Sequence, residues 1–172
     1  KHWTALGRPF FASGRHAVLR SWSGSMFEYL MPTLVMAEPR GSALDEAGQS
    51  ALREQRASVA GSGLPWGQSE SAYAVRDHTL AYQYAPQGVA RLALRRTPPA
   101  EHVVAPYASV LATLVDPRAA CANLRLLERL GARGRHGFFE ALDYTPARQT
   151  HGTGAVPGHT LVRTSMAHHQ GM

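Results

Sequence analysis

The sequence predicts an all-α fold, and three stretches carry that reading. Ser42 to Val59 is an amphipathic run that opens on Ser42 with Asp45 three residues on, a pattern resembling a helix-capping box. Asp116-Pro117 pairs an N-cap residue with proline at the first helical position. Ala120, Leu124, Leu127 and Leu130 then follow at helical spacing, up to a closing Gly131. Ser25 to Met36 is apolar nearly all round, so as a helix it is buried.

Taken in order, residues 1–20 mix aromatics with Gly7, Pro9 and Gly14 and lack periodicity, which predicts an entering loop with one extended piece at Ala17-Val18-Leu19. Within 25–36, Pro32 has no backbone N–H and predicts a kink or an early stop. Pro39-Arg40-Gly41 separates this run from the second helix, whose Asp45, Glu46, Arg53, Glu54 and Arg56 read as a solvated face. Gly61-Ser62-Gly63 ends that helix and leads into a turn built on Pro65 and Gly67. From Pro86 to Pro99 no period is firm, and Val89, Leu92 and Leu94 fit a short strand or an irregular loop. Tyr107 to Val115 reads as an apolar helix rich in small residues, which pairs with the Asp116 helix as scaffold. Gly134 and Gly137 bracket a turn that presents Phe138-Phe139-Glu140, residues 147–160 read as a polar surface loop, and a helix begins near Met166. Lys1 is not a start, and the sequence stops inside that last helix, so a fragment of a longer chain is expected.

The chemistry concentrates where acids meet rings. Leu64-Pro65-Trp66-Gly67-Gln68-Ser69-Glu70-Ser71-Ala72-Tyr73, continuing through Arg76-Asp77-His78 to Tyr82-Gln83-Tyr84, sets a carboxylate between two hydroxyls among aromatics. Flat rings cover the apolar faces of sugars while Asp, Arg, Gln and His engage hydroxyls, so the segment suits a glycan cleft better than a core. Glu28 in Met26-Phe27-Glu28-Tyr29-Leu30 and Glu140 in Phe138-Phe139-Glu140-Ala141-Leu142 keep similar company. Apolar neighbours raise a carboxyl pKa toward the protonated form a general acid needs, which is expected at Glu28; a buried ion pair with an arginine is the alternative.

The composition narrows the classes. Lys+Arg 18 against Asp+Glu 12 is almost all scattered arginine, without the dense basic run of a nucleic-acid arm. The one cysteine, Cys121, excludes an internal disulfide framework. No run approaches the ~20 apolar residues that cross a bilayer. His168 and His169 are adjacent and so cannot face the same way on a helix, and no acid stands at a metal-ligand spacing from them, so no metal site is expected and they read as surface or cleft-lining residues.

Together, Ser21-Trp22-Ser23-Gly24-Ser25-Met26-Phe27-Glu28-Tyr29-Leu30-Met31-Pro32, Pro65-Trp66-Gly67-Gln68-Ser69-Glu70-Ser71-Ala72-Tyr73, Tyr82-Gln83-Tyr84, Val104-Ala105-Pro106-Tyr107-Ala108, Gly137-Phe138-Phe139-Glu140-Ala141-Leu142-Asp143-Tyr144-Thr145-Pro146 and Ala167-His168-His169-Gln170-Gly171-Met172 resemble the glycoamylase-like region of bacterial cyclic β-1,2-glucan synthases. The resemblance runs from about Trp22 to Met172 and departs at Gln68, at Ala90-Arg91 and Ala93, and at His136-Gly137-Phe138-Phe139. It implies an (α/α)6 barrel, of which this length would hold about half the roughly twelve helices at ~10–14 residues each.

The resemblance also implies retaining transglycosylation that closes linear β-1,2-glucan into a ring; related endo-β-1,2-glucanases hydrolyse with inversion. No cofactor is implied. Full-length relatives would be inner-membrane proteins carrying this region in the cytoplasm. On these expectations Glu28 is the acid/base, Glu70 the nucleophile, and Glu140 a third acid able to displace either. Asp77 and Asp143 grip hydroxyls, and Trp22, Trp66, Tyr73, Tyr82, Tyr84, Tyr107 and Tyr144 supply stacking platforms. His168, His169 and Gln170 line the cleft. The competing readings are a catalytically silent glycan-binding domain and a basic nucleic-acid binder.

Overall fold

The computed structural model describes residues 9–95, 101–149 and 158–172. The parts of the expected loops over residues 1–8, 96–99 and 150–157 lie outside the described residues. Among those described, the fold is mixed α/β, with five α-helices interleaved among nine short strands. This corrects the all-α expectation and the helical-barrel reading attached to it. The strands are two to six residues long, too short for a period-two pattern to stand out.

The helices stand close to their sequence signals. Helix α1 (Met26–Leu30) starts in a reciprocal capping box, with Ser25 Oγ accepting from Glu28 N at 3.3 Å and the Glu28 carboxylate accepting from Ser25 N at 3.0 Å. Pro32 ends it, and the chain tightens into a 3-10 turn over Met31–Leu34. Helix α2 (Ala43–Ser58) is capped by Ser42 Oγ, which accepts from Asp45 N at 3.2 Å. Helix α3 (Pro106–Leu111) runs into a 3-10 turn over Ala112–Leu114. Helix α4 (Pro117–Arg129) starts with Asp116 Oδ1 accepting from Ala119 N at 2.9 Å, and Gly131 leaves it at φ +82°, a left-handed conformation glycine adopts without a Cβ clash. Helix α5 (Ala167–Gln170) is a single turn.

Strands β1 (Phe10–Ser13) and β2 (His16–Leu19) form a hairpin where a loop is expected, with Ala17-Val18-Leu19 extended as the sequence predicts. The hairpin packs over α2 and buries Glu54, which belongs to the expected solvated face. Glu54 is 5% exposed, accepts a hydrogen bond from Ser13 Oγ and lies 3.6 Å from Arg91 Nε. Strands β3 (Ser71–Arg76) and β4 (Tyr82–Ala85) pair antiparallel, with an irregular register between Ala72 and Arg76. Strand β5 (Val103–Val104) precedes α3, and β6 (Arg133–Gly134) pairs with β7 (Gly137–Phe138). Strands β8 (Ala141–Asp143) and β9 (Thr160–Val162) complete a three-stranded antiparallel sheet in the order β5-β8-β9.

One core gathers Met26, Leu30, Ala51, Leu52, Leu92 and Leu111; a second lies under the sheet around Val104, Leu127 and Leu142. Between the helices runs the segment 65–70, buried and irregular, so its peptide groups need protein partners in place of water. From α2, Gln55 Nε2 donates to Gln68 O at 2.7 Å, and Gln55 Oε1 accepts from Gly67 N at 3.2 Å and Gln68 N at 2.8 Å. From α4, Asn123 Nδ2 donates to Trp66 O at 2.8 Å and its Oδ1 accepts from Trp66 N at 3.3 Å. Met26 N donates to Gln68 O at 3.2 Å and Ala105 N to Gly67 O at 3.0 Å, so α1 and α3 are tied to the same few peptides.

Candidate active site

The first acid is held by hydroxyls from the serine-rich strip that precedes it, not by its apolar neighbours. Glu28 Oε2 accepts from the hydroxyls of Ser21 (2.9 Å), Ser23 (2.5 Å) and Ser25 (2.9 Å), and the carboxylate also takes the backbone N–H of Ser23 and of Ser25. Burial pushes this carboxyl up, but the hydrogen bonds from Ser23 and Ser25 outweigh it and hold it below its ordinary value of 4.5. The expected raised pKa is therefore corrected: local serines override apolar neighbours. The signal was present, since Ser25 and Glu28 have the S-x-x-E spacing of a capping box.

The serine-rich strip closes against residues 88–93. Val89 N donates to Gly24 O at 3.1 Å and Ser21 N to Leu92 O at 3.1 Å. A Cβ on Gly24, which has φ +75°, would come 2.4 Å from Val89 O. From α1, Phe27 N donates to Ser69 Oγ at 3.0 Å; Ser69 Oγ lies 2.8 Å from Tyr107 Oη, which donates to Glu70 O at 2.8 Å. A continuous chain of bonds thus runs from the Glu28 seat to the backbone of Glu70.

The second and third acids meet through rings. Tyr84 Oη donates to Glu70 Oε1 at 2.9 Å and lies 3.3 Å from His168 Nε2 and 3.4 Å from His169 Nε2. His169 Nδ1 is 2.8 Å from Glu140 Oε1, which also accepts from Ala72 N at 3.2 Å. Glu140 Oε2 is buried without a hydrogen-bond partner. Tyr107 stacks on the His169 ring at 3.8 Å and 13°. Burial, the bond to Glu70 and the charges of Glu70 and Glu140 push the Tyr84 phenol far above its ordinary value, so it keeps its proton. Both imidazoles reach Tyr84, His168 from solvent and His169 from within, with ring centroids 3.9 Å apart. The expectation that adjacent histidines diverge is corrected, because α5 is one turn long and both side chains lean toward β4.

Beside this cluster opens a pocket of about 200 Å³ lined by Tyr107, Phe138, Phe139, Glu140, His169 and Gln170, together with Met172. Phe138 and Phe139 precede Glu140 in sequence and line this pocket, although neither is among the candidate site residues above.

Other candidates stand elsewhere. Trp66 is 8% exposed in the main core, and Tyr144 is 4% exposed beneath the sheet, so neither ring has a face free for stacking. Asp143 is fully buried: Oδ2 accepts from Ala74 N (2.9 Å) and Arg148 Nε (2.7 Å), and Oδ1 from Thr145 N (2.9 Å). Its oxygens are committed to the fold, not to a sugar. Asp77 organises the β3–β4 turn, accepting from Thr79 N at 2.8 Å and Thr79 Oγ1 at 2.6 Å. Tyr82 lies under Arg76, Tyr73 lies under Arg148, and Trp22 is exposed. No group of three or more His, Cys, Asp or Glu side chains able to hold a metal ion occurs among the described residues.

Comparison with known proteins gives three findings. The family model "Glycoamylase: Putative glucoamylase" matches residues 1–172. The chain is 46% identical over all 172 residues to cyclic beta-(1,2)-glucan synthase NdvB of Rhizobium meliloti (strain 1021), spanning 6% of that protein's length. Among solved structures it is similar in fold to an endo-beta-1,2-glucanase from Chitinophaga pinensis in complex with sophorotriose and glucose. That match has TM-score 0.59 and 14% identity, and covers 83% of this chain and 36% of the glucanase chain.

Proposed function

Because the chain belongs to the Glycoamylase family over its whole length, we propose that it carries the acid pair of an enzyme acting on linear β-1,2-glucan, with Glu70 as nucleophile and Glu140 as acid/base. One observation carries the assignment: Glu70 and Glu140 are bridged by Tyr84 and His169 beside an aromatic-lined pocket. Glu70 is half-buried and accepts a hydrogen bond from the Tyr84 phenol, which orients its carboxylate for attack. Glu140 has one oxygen occupied and one unpartnered, and that free Oε2 is where a transferable proton can sit. Glu28 is withdrawn as acid, since three serines hold it as a carboxylate.

In this reading Glu140 protonates the departing glycosidic oxygen while Glu70 attacks the anomeric carbon, giving a glycosyl ester on Glu70. Glu140, now a carboxylate, takes the proton from an incoming hydroxyl, which attacks the same carbon and releases Glu70. When the hydroxyl belongs to the far end of the same glucan, the product is a ring. The β-1,2 linkage is supported by the names of both relatives, a synthase and a glucanase. His168 and Gln170 are exposed beside this cluster and suited to touching the glycan. The segment would work within a longer, membrane-borne synthase on the cytoplasmic side of the bacterial inner membrane. No helix among the described residues is long and apolar enough to cross a membrane.

Mass spectrometry of products from linear β-1,2-glucan tests this in the full-length protein. Cyclisation gives species lighter by one water than linear chains of equal length; linear products alone would mean hydrolysis. Glu70→Gln and Glu140→Gln are each expected to lower turnover on the order of 10²–10⁴-fold. Turnover unaffected by both would overturn the acid assignment, and glucan binding without any turnover in the parent would leave a binding domain.

A further inference from the structure

The link between the two acids contains a phenol with a single proton and three acceptors in reach, Glu70 Oε1, His168 Nε2 and His169 Nε2. Tyr84 keeps that proton and donates its hydrogen bond to Glu70 Oε1 at 2.9 Å, while His169 Nε2 waits 3.4 Å from Tyr84 Oη. Nδ1 of the His169 ring faces Glu140 Oε1 at 2.8 Å. Against a carboxyl oxygen that already accepts the Ala72 N–H, Nδ1 is the donor, so in the neutral ring Nε2 carries the lone pair and can accept. The ring is fixed for this role: Tyr107 stacks flat on it at 3.8 Å, and its side chain is 1% exposed.

We propose that Tyr84 and His169 are positioning residues that make the hydrogen-bond donor follow the negative charge from Glu70 to Glu140 during glycosyl transfer. The inference rests on the assignment of those two acids above. As the Glu70 carboxylate forms its ester, Oε1 loses charge and becomes a poorer acceptor, and the Tyr84 O–H turns to His169 Nε2. An imidazole that accepts at Nε2 is a stronger donor at Nδ1, because successive hydrogen bonds polarise one another. The Nδ1–H then stabilises the carboxylate appearing on Glu140 as it releases its Oε2 proton to the leaving oxygen. No proton leaves Tyr84 or His169; each only re-aims or strengthens the bond it makes. On the return step the charge moves back and so does the O–H. The other groups facing the pair are His168, whose ring lies 3.9 Å from that of His169 and whose Nε2 lies 3.3 Å from Tyr84 Oη, and Tyr107 on the ring face.

The test compares Tyr84→Phe, His169→Asn and the double variant in the full-length protein turning over linear β-1,2-glucan. Asparagine at 169 can keep a donor at the Nδ1 position while removing the contact to Tyr84. Each single variant is expected to lose roughly 10–100-fold in kcat/KM, the worth of one hydrogen bond to a charged group. The double variant is expected to lose no more than the worse single. In Tyr84→Phe the loss is expected in kcat with KM unchanged, because the bond follows charge that moves only during the reaction. Losses that multiply in the double variant, or a loss confined to KM, would overturn the coupling. Glu70→Gln and Glu140→Gln serve as the separate check: if those retain activity, the acid assignment fails rather than the coupling.

Discussion

Glu28 and Glu140 both stand beside aromatic rings, yet serine hydroxyls meet the first and an imidazole the second, and on the proposed assignment that difference separates scaffold from chemistry. The depressed pKa of Glu28 has a stability consequence whose sign is fixed. A carboxyl held below its unfolded value stabilises the fold above that value, and the contribution is lost as pH falls through the folded one. Glu28→Gln should therefore cost about 1–2 kcal/mol near neutral pH and progressively less in acid, read as a melting-temperature gap from the parent that narrows as pH drops. Asp143 gives a second contrast. Its buried pairing with Arg148 means that Asp143→Ala leaves that guanidinium with Glu101 as its remaining carboxylate and takes the acceptor from two backbone N–H groups, Ala74 and Thr145, so roughly 3–5 kcal/mol of stability should go. A residue gripping sugar hydroxyls would instead raise KM with the melting temperature unchanged, and steady-state kinetics beside thermal melts separate the two.

The segment 65–70 is an element without regular structure, and Gln55 and Asn123 substitute for the ladder it lacks. Gln55→Leu removes one acceptor serving two buried N–H groups, each worth about 1–3 kcal/mol when left unmet. A urea titration should show a lowered midpoint with an unchanged slope, and activity should fall as well because Glu70 hangs from the end of this segment. Neither clamp is legible in the sequence, since Gln55 and Trp66 partners are chosen by tertiary packing. What is legible is local: Ser42, Asp116, Pro32 and Gly131 act on immediate neighbours, and the helix ends they mark are found near those positions. The strands are not legible, because Val103-Val104 or Ala141-Leu142-Asp143 pair only with chain far away. The same limit explains the site. Glu70, Tyr84, Tyr107, Glu140, His168 and His169 are recognisable by type and do converge, whereas Trp66 and Tyr144 are the same kinds of ring spent on packing.

On the scale of the whole molecule, the charge excess of 18 basic over 12 acidic side chains is dispersed, and several arginines are occupied. Arg148 pairs with Asp143 and Glu101, Arg56 with Asp116, Arg133 with Glu128. An uncharged glucan displaces no counterions, so its affinity, measured by calorimetry, should stay within about twofold between roughly 50 and 500 mM salt, where a nucleic acid would lose orders of magnitude. The bridged cluster draws on residues 70, 84, 107, 140 and 169, delivered by a loop, a hairpin, a helix, a turn and the final short helix. No contiguous stretch of the polypeptide holds more than a corner of it. On the proposed acid assignment, a nascent or partly unravelled copy is chemically silent, and the first bond it breaks certifies that every one of those parts has docked.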